Sequence, residues 1–339
     1  MLAPAPNAQY AGSNITGDKG LIAIDKVGNK VRFYDPCTLA EIKVLTAPEP
    51  CVHELTFSSD RRFAFVPLYG DGIYGGNKQP NNKVLIVDLE RQHLGDIIDL
   101  GAFPAPHGMV GTRDGKLWVA SDLVNKLLLV DPASKTIEAS YDIPGKGAHF
   151  IVLLPDESKL YASNKESGVA VFDLKRREFL SSIEIGKPGV AAGNGSGGEG
   201  LTPTPDGKRL LVADNDRSDI RVIDTASDRE IDRVPLVMHP KTNVKRSRLV
   251  KLMFSPDGQS LVVVSYATGL VWILDPNNYR NQTMLTVAKG PFGIAFAPGN
   301  KTALVSCHDS GLLTQIDLRT KSVTETFDGG NGIECLAYY

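Results

Sequence analysis

One phrase recurs along this chain and constrains its fold more than any other feature. It is a short apolar strand, a Pro-Asp-Gly-like turn, a second strand, then a strand of the form V-x-V-x-D. The turn reads SSDRR (58–62), TRDGK (112–116), LPDES (154–158), TPDGK (204–208), SPDGQ (255–259) and APGNK (297–301). The third strand reads VRFYD (31–35), VLIVD (84–88), LLLVD (127–131), VAVFD (169–173), IRVID (220–224), LVWIL (270–274) and LTQID (313–317). Seven third strands against six turns leave one first strand to be found. The C-terminus supplies it: NGIECLAYY (331–339) matches the strands that begin HGMV and FGIA, whereas GLIAID (20–25) already begins with a second strand. Helical periodicity is nearly absent, and β-branched alternation between Gly, Pro, Asp and Asn turns is pervasive. The sequence therefore predicts an all-β, seven-bladed β-propeller as a single domain over 1–339, with 1–16 as an N-terminal extension. The C-terminal strand joins the N-terminal blade, which leaves no open sheet edge between first and last blades.

The charge balance narrows the partners. With 37 basic and 39 acidic side chains the net charge is −2, so no global field attracts nucleic acid or an anionic membrane. The one basic stretch, VKRSRLVK (244–251), reads as an anion clamp or a solvated charge run, and no aromatic side chains are interleaved to stack on bases. No segment approaches the roughly 18 apolar residues of a membrane span. MLAPAPNAQYAGSN lacks a basic n-region and an apolar h-region, which favours the cytoplasm over the mature form of a secreted chain. Four scattered cysteines make neither a disulfide scaffold nor a CxxC metal spacing. A small-molecule substrate and a monomer or small homo-oligomer are expected.

The chemistry lies in the strand that lines a propeller's channel. His53, His107, His149 and Glu199 each stand seven residues before the aspartate of their own turn, at Asp60, Asp114, Asp156 and Asp206. Aligning all seven blades predicts a ring at the channel mouth of Asn331, His53, His107, His149, Glu199, Val250 and Phe292. Only the repeat brings residues this distant in sequence together. Three imidazoles and a carboxylate suit a divalent transition metal (Zn, Mn, Fe or Cu), which would polarise a carbonyl or activate water. On that reading Tyr69, Lys251 or His308 (beside Asp309) moves the proton, while Arg248, Val250, Phe292 and Asn331 contact substrate. Lyase, isomerase or hydrolase chemistry follows, with an Fe-dependent oxygenase or a non-catalytic ligand- or protein-binding propeller as alternatives. Long connections at 68–82, 187–198 and 236–249, which carry Tyr74, His239, Lys245 and Arg246, read as lids over the mouth. His93 falls on an outer strand. A nucleophile elbow and a P-loop are absent, and GNGSGGEG (193–200) lacks the strand–turn–helix setting of a dinucleotide fingerprint.

The blade phrase, seen in GEGLTPTPDGKRLLVADNDRSDIRVID (198–224) and HGMVGTRDGKLWVASDLVNKLLLVD (107–131), resembles the YVTN-repeat and lactonase-like seven-bladed propellers. The resemblance spans nearly the whole chain. It implies the propeller fold and a range of roles that includes lactone hydrolases, a muconate cycloisomerase, amine dehydrogenase subunits, haem d1 proteins and binding proteins. The lactonase-type calcium site uses carboxylates and asparagine, and the histidines here depart from it. Fold alone does not set function.

Overall fold

The V-x-V-x-D strands alternate side chains between two apolar blade faces, and the short turns force consecutive strands to pair antiparallel. A computed structural model describes residues 17–185, 197–214, 218–238 and 247–339, and these form seven antiparallel sheets of four strands each, arranged in a ring. The innermost strands are Ile333–Tyr338 (blade 1), Thr56–Phe57, Pro106–Gly111, Ala148–Leu153, Gly198–Pro203, Leu249–Phe254 and Pro291–Phe296 (blade 7). Burial falls outward along each blade: Pro106–Gly111 is buried throughout, while the outermost strand of the same blade, Thr136–Asp142, alternates between exposed and half-buried.

Turn chemistry explains the repeated aspartate. In TPDGK the Thr204 hydroxyl donates to Asp206 Oδ1 (2.6 Å), which also accepts the Lys208 amide (3.1 Å), and Gly207 supplies φ +71°. Ser58 with Asp60 and Ser255 with Asp257 repeat the hydroxyl–carboxylate bond at 2.7 and 2.6 Å. Such side-chain bonds mimic a backbone turn and fix the hairpin register.

The ring closes as the sequence predicts. Leu21–Asp25 pairs antiparallel with Ile333–Tyr338 on one side and with Lys30–Tyr34 on the other. The Tyr339 amide also donates to the Gly20 carbonyl (2.9 Å). Apolar cores lie between neighbouring blades. One joins Leu336 and Tyr338 of the closing strand to Ala295 and Leu304 of blade 7, and another joins Cys335 and Ala337 to Leu55 and Phe57 of blade 2.

Every inner strand carries one extra residue near the channel mouth. In blade 3, Pro106 pairs with Ser121 but Met109 with Val119; the register slips by one in the same place in blades 1, 4, 5, 6 and 7. Blade 2 does the same between the Val52–Leu68 bridge and the Thr56–Phe65 pair. A bulge of this kind bends the strand and re-aims a side chain. The freed amide is caught by a serine of the second strand in two blades, Phe150 by Ser163 (3.1 Å) and Gly293 by Ser306 (2.8 Å).

The closing strand carries a stability prediction. Leu336→Ala removes a fully buried side chain between blades 7 and 1 and should cost about 2–5 kcal/mol. Val323→Ala, on an outer strand at 39% exposure, should cost less than about 0.5 kcal/mol. Urea unfolding midpoints of the two variants against the parent check both.

Candidate functional site

The bulges define the ring that the sequence alignment approximated. By register with the second strands, its members are Glu334, His53, His107, His149, Glu199, Val250 and Phe292. Asn331 is not among them. It is exposed, ahead of the closing strand, and Glu334 holds the place expected for it. The misplacement has a simple origin: glycine recurs both one residue after and two residues before the ring position. Gly108, Gly200 and Gly293 are of the first kind, but Gly332 is of the second, with φ +85°. Without a Pro-Asp-Gly turn after it, the last strand slides by three residues. Glycine after the ring is a packing requirement, since a Cβ on Gly108 would collide with the His149 carbonyl of the next blade.

The corrected ring has a symmetry invisible before: Glu–His–His–His–Glu over five successive blades, with His107 at its centre. The imidazoles of His53 and His107 meet edge to face at 4.3 Å between centroids, and those of His107 and His149 stack at 3.5 Å with 34° between planes. His149 Nε2 lies 3.3 Å from Glu199 Oε1, and His53 Nδ1 lies against Glu334 Oε2. Each carboxylate also meets a lysine that sequence reasoning missed: Lys165 Nζ is 3.1 Å from Glu199, and Lys26 Nζ is 3.4 Å from Glu334. His107, 1% exposed, has no hydrogen-bond partner at either ring nitrogen, and His149 has none at Nδ1.

These lysines belong to a second tier, formed by the residue that follows the second strand, or in blade 2 by Tyr69, which holds the equivalent register inside Phe63–Gly70. Its described members are Lys26, Tyr69, Asp122, Lys165, Tyr266 and His308. Reading that repeat position across the blades would have found Lys26, Lys165 and Tyr266 as readily as the turn offset found the histidines. His308 continues the polar arc: its Nδ1 is 2.8 Å from Asp309 Oδ1, its Nε2 is 3.6 Å from Glu334 Oε1, and Tyr266 donates to the same Asp309 oxygen (2.6 Å). Its side chain is 17% exposed, more open than the three ring histidines.

A cavity of about 710 Å³ is lined by His53, His107, His149, Glu199, Glu334 and Phe292 of the ring, by Lys26, Lys165, Tyr266 and His308 of the second tier, and by Arg248. Arg248 is exposed, and its guanidinium lies 4.7 Å above the Tyr266 ring. The connection after Phe63–Gly70 crosses this mouth from blade 2 to blade 4, where Tyr74 donates to Glu166 (2.8 Å) and packs on Gly147. Of the other expected lids, 186–196 and 239–246, with His239, Lys245 and Arg246, lie outside the described residues.

Three expected site residues stand elsewhere. Val250 is 1% exposed in the apolar core between blades. Burying a β-branched side chain there is worth more than lining water. Lys251 sits one step below the ring, where its ammonium donates to Glu54 Oε2 (2.8 Å) and the Glu334 carbonyl (3.1 Å) between the Phe150 and Phe292 rings. It plugs the channel as a paired cation. Tyr69 is fully buried behind His53 and His107, with its hydroxyl on Asp122 (2.6 Å). His93 begins an outer strand, as expected.

Electrostatics keep the arc in one protonation state. Burial, then the Lys165 charge, lowers His149 to about 3 against the pull of Glu199. Burial and its two imidazole neighbours hold His107 far below the usual range, and burial with Lys26 lowers His53. Burial alone would raise both carboxyls; Lys165 and His149 outweigh it at Glu199, as His53 and Lys26 do at Glu334, so both are ionised. Burial raises Asp122 to about 7. The result is neutral imidazoles clamped between two carboxylate–lysine pairs. Each clamped histidine presents its other nitrogen as an acceptor. Among the described residues, no group of three or more His, Cys, Asp or Glu side chains converges to hold a metal ion.

No protein-family model matches the chain, and no curated protein matches its sequence. Solved structures do. Hydrazine synthase of Kuenenia stuttgartiensis aligns at 18% identity and TM-score 0.64, covering 84% of this chain and 88% of that one. A functionally unknown protein from Desulfotomaculum acetoxidans DSM 771 aligns at 13% identity and TM-score 0.72, covering 94% of this chain and 99% of that one. At these identities the likeness shows the seven-bladed propeller fold alone.

The neutral arc makes stability depend on pH. Below about 6.5 the unfolded chain protonates its histidines and the folded arc does not, so stability should fall as pH drops from about 6.5 towards 5. Each such imidazole adds up to about 1.4 kcal/mol per pH unit to the slope. Over this range Glu199 and Glu334 are ionised in both states and add nothing, whereas Asp122, raised to about 7, takes up a proton in the folded state and offsets at most one of the three imidazoles. His107→Leu should lose about one proton from the slope, read from urea midpoints at pH 7.5, 6.0 and 5.0. Equal slopes in parent and variant would show that His107 is not held neutral.

Proposed function

We propose that the channel mouth binds a small organic molecule and moves a proton on it, with the imidazole arc as acid–base machinery. The observation that carries this reading is His107: fully buried, on the wall of the cavity, with both ring nitrogens free of protein partners. Leaving a buried polar group unpaired costs about 1–3 kcal/mol. A ligand carbonyl, hydroxyl or carboxylate against His107 recovers that energy. A neutral imidazole holds one N–H and one lone pair, so it gives a proton at one nitrogen and takes one at the other. That bifunctional exchange suits an isomerase or a lyase more than a reaction that needs a strong base. His53 and His149, whose tautomers are set by Glu334 and Glu199, flank it as further donors and acceptors. His308 with Asp309 links the arc to solvent through Glu334. The resemblance of the blade phrase to YVTN-repeat and lactonase-like propellers agrees with a channel-mouth site in one 1–339 domain.

A second reading keeps a divalent transition metal. It is favoured by three buried nitrogens without partners, on His107 and His149, within one arc. As the described side chains stand they do not form a coordination set.

Two measurements test these readings. Ligand-observed NMR with a set of small organic acids, ketones and hydroxy acids should find binders of the parent whose affinity drops tenfold or more in His107→Leu. Bound carbon acids should take up deuterium from D₂O only with the parent. Binders that are indifferent to His107→Leu would sink the acid–base reading. Elemental analysis of purified parent and His107→Ala addresses the metal: stoichiometric Zn, Mn, Fe or Cu lost in the variant supports the second reading, and trace metal in both removes it.

A further inference from the structure

The cavity wall opposite the arc carries a feature that the acid–base reading does not use. Among the described residues, three cations line this cavity: Lys26, Lys165 and Arg248. The first two are neutralised by Glu334 and Glu199. Arg248 forms no ion pair among the described residues, and its guanidinium lies on the face of Tyr266. The Arg248 charge helps lower the Asp309 carboxyl, but no hydrogen bond or ion pair joins the two among the described residues. Asp309 Oδ1 takes the Tyr266 hydroxyl and His308 Nδ1, and Asp71 Oδ1 takes the amides of Lys78 and Gln79 (2.9 and 2.8 Å). The planar guanidinium therefore keeps its fork of donors for something that enters the cavity.

The backbone makes the same point independently. Arg248 occupies the position two residues before the ring, where blades 1, 4 and 7 use Gly332, Gly147 and Gly290 at φ +85°, +71° and +73°. Arg248 adopts φ +48° at that place. Ala105 of blade 3 takes the same left-handed conformation at φ +54°, so the position tolerates a Cβ, and among these five blades only blade 6 places a charged side chain on it. The fold would accept glycine here; the guanidinium over the cavity is what glycine could not supply.

We propose that Arg248 is the carboxylate-recognition residue of the channel-mouth site, so that the ligand is an aromatic or otherwise flat organic acid. Its carboxylate sits on the Arg248 fork, its apolar body packs against Tyr266 and Phe292, and its reacting end points across the cavity at His107. The inference rests on the small-molecule reading given above and adds the chemical class. Tyr266 and Phe292 stand edge to face at 6.0 Å between centroids, which offers an aromatic corner beside the guanidinium.

The test uses phenylacetate and its neutral isostere phenylacetamide, titrated into the full chain carrying ¹³C-labelled histidine. The parent should bind phenylacetate at least tenfold more tightly than phenylacetamide. In Arg248→Gln and Arg248→Gly that preference should fall to within about twofold. Arg248→Gly should show a thermal midpoint no lower than the parent, which separates lost recognition from lost folding. Persistence of the preference in both variants overturns the proposal, as does the absence of binding by either probe at 10 mM. The His107 ring signal distinguishes the two levels of inference. Equal, Arg248-independent shifts with both probes keep the small-molecule site and remove the carboxylate subsite. Arg248-dependent phenylacetate binding that leaves the His107 signal unmoved keeps the subsite and removes the arc as the place where the ligand ends.

Discussion

Backbone hydrogen bonds between Leu21–Asp25 and Ile333–Tyr338 tie the two ends of the described chain into one blade, and the rest of the architecture depends on that ladder. Blade 7 packs against the closing strand through Leu336, and blade 2 packs against it through Cys335 and Ala337. Because the seven sheets then share one axis, their inner strands are pressed together, and glycine at Gly108, Gly200 and Gly293 lets the backbones approach. The same closing strand brings Glu334, which completes the polar arc. Closure and chemistry therefore share six residues.

A propeller channel is a costly place for charge, and this one manages it by pairing. Glu199 and Glu334 are buried, yet each faces a lysine and a histidine. Glu54 and Lys251 pair below them and shut the channel beneath the ring. Burial and the lysine charges outweigh the pull of the carboxylates on His53 and His149, so the imidazoles remain neutral. The arc is consequently rich in hydrogen-bonding capacity and poor in net charge, and His107 at its centre is the group left without a protein partner. Arg248 stands alone across the cavity from it. A bound molecule that is polar at both ends and flat between them would satisfy both.

Much of this was legible in the residues. Turn chemistry is local, so SSDRR, TRDGK and TPDGK set the hairpins, and a fixed offset of seven residues from those aspartates located His53, His107, His149 and Glu199. Glu334 was missed because its strand has no turn after it to count from, and the glycine used in its place serves a different backbone need. Lys26, Lys165 and Tyr266 were missed because only one repeat position was followed, although the next repeat position carries them. Val250 lies in the apolar core and Lys251 pairs with Glu54 below the ring, contacts between blades that no count from a turn reveals.

The sequence by itself determined the fold and its seven-fold count, since apolar alternation and turn residues act over a few neighbours and repeat faithfully. It also determined which residue types would gather at the channel mouth. Tertiary structure alone decided which atoms meet there. The stacking of His107 on His149, the capture of each carboxylate by a lysine, the isolation of Arg248 and the burial of Val250 depend on how seven bulged strands crowd one axis. Those contacts form between residues far apart in the chain, and no local rule specifies them.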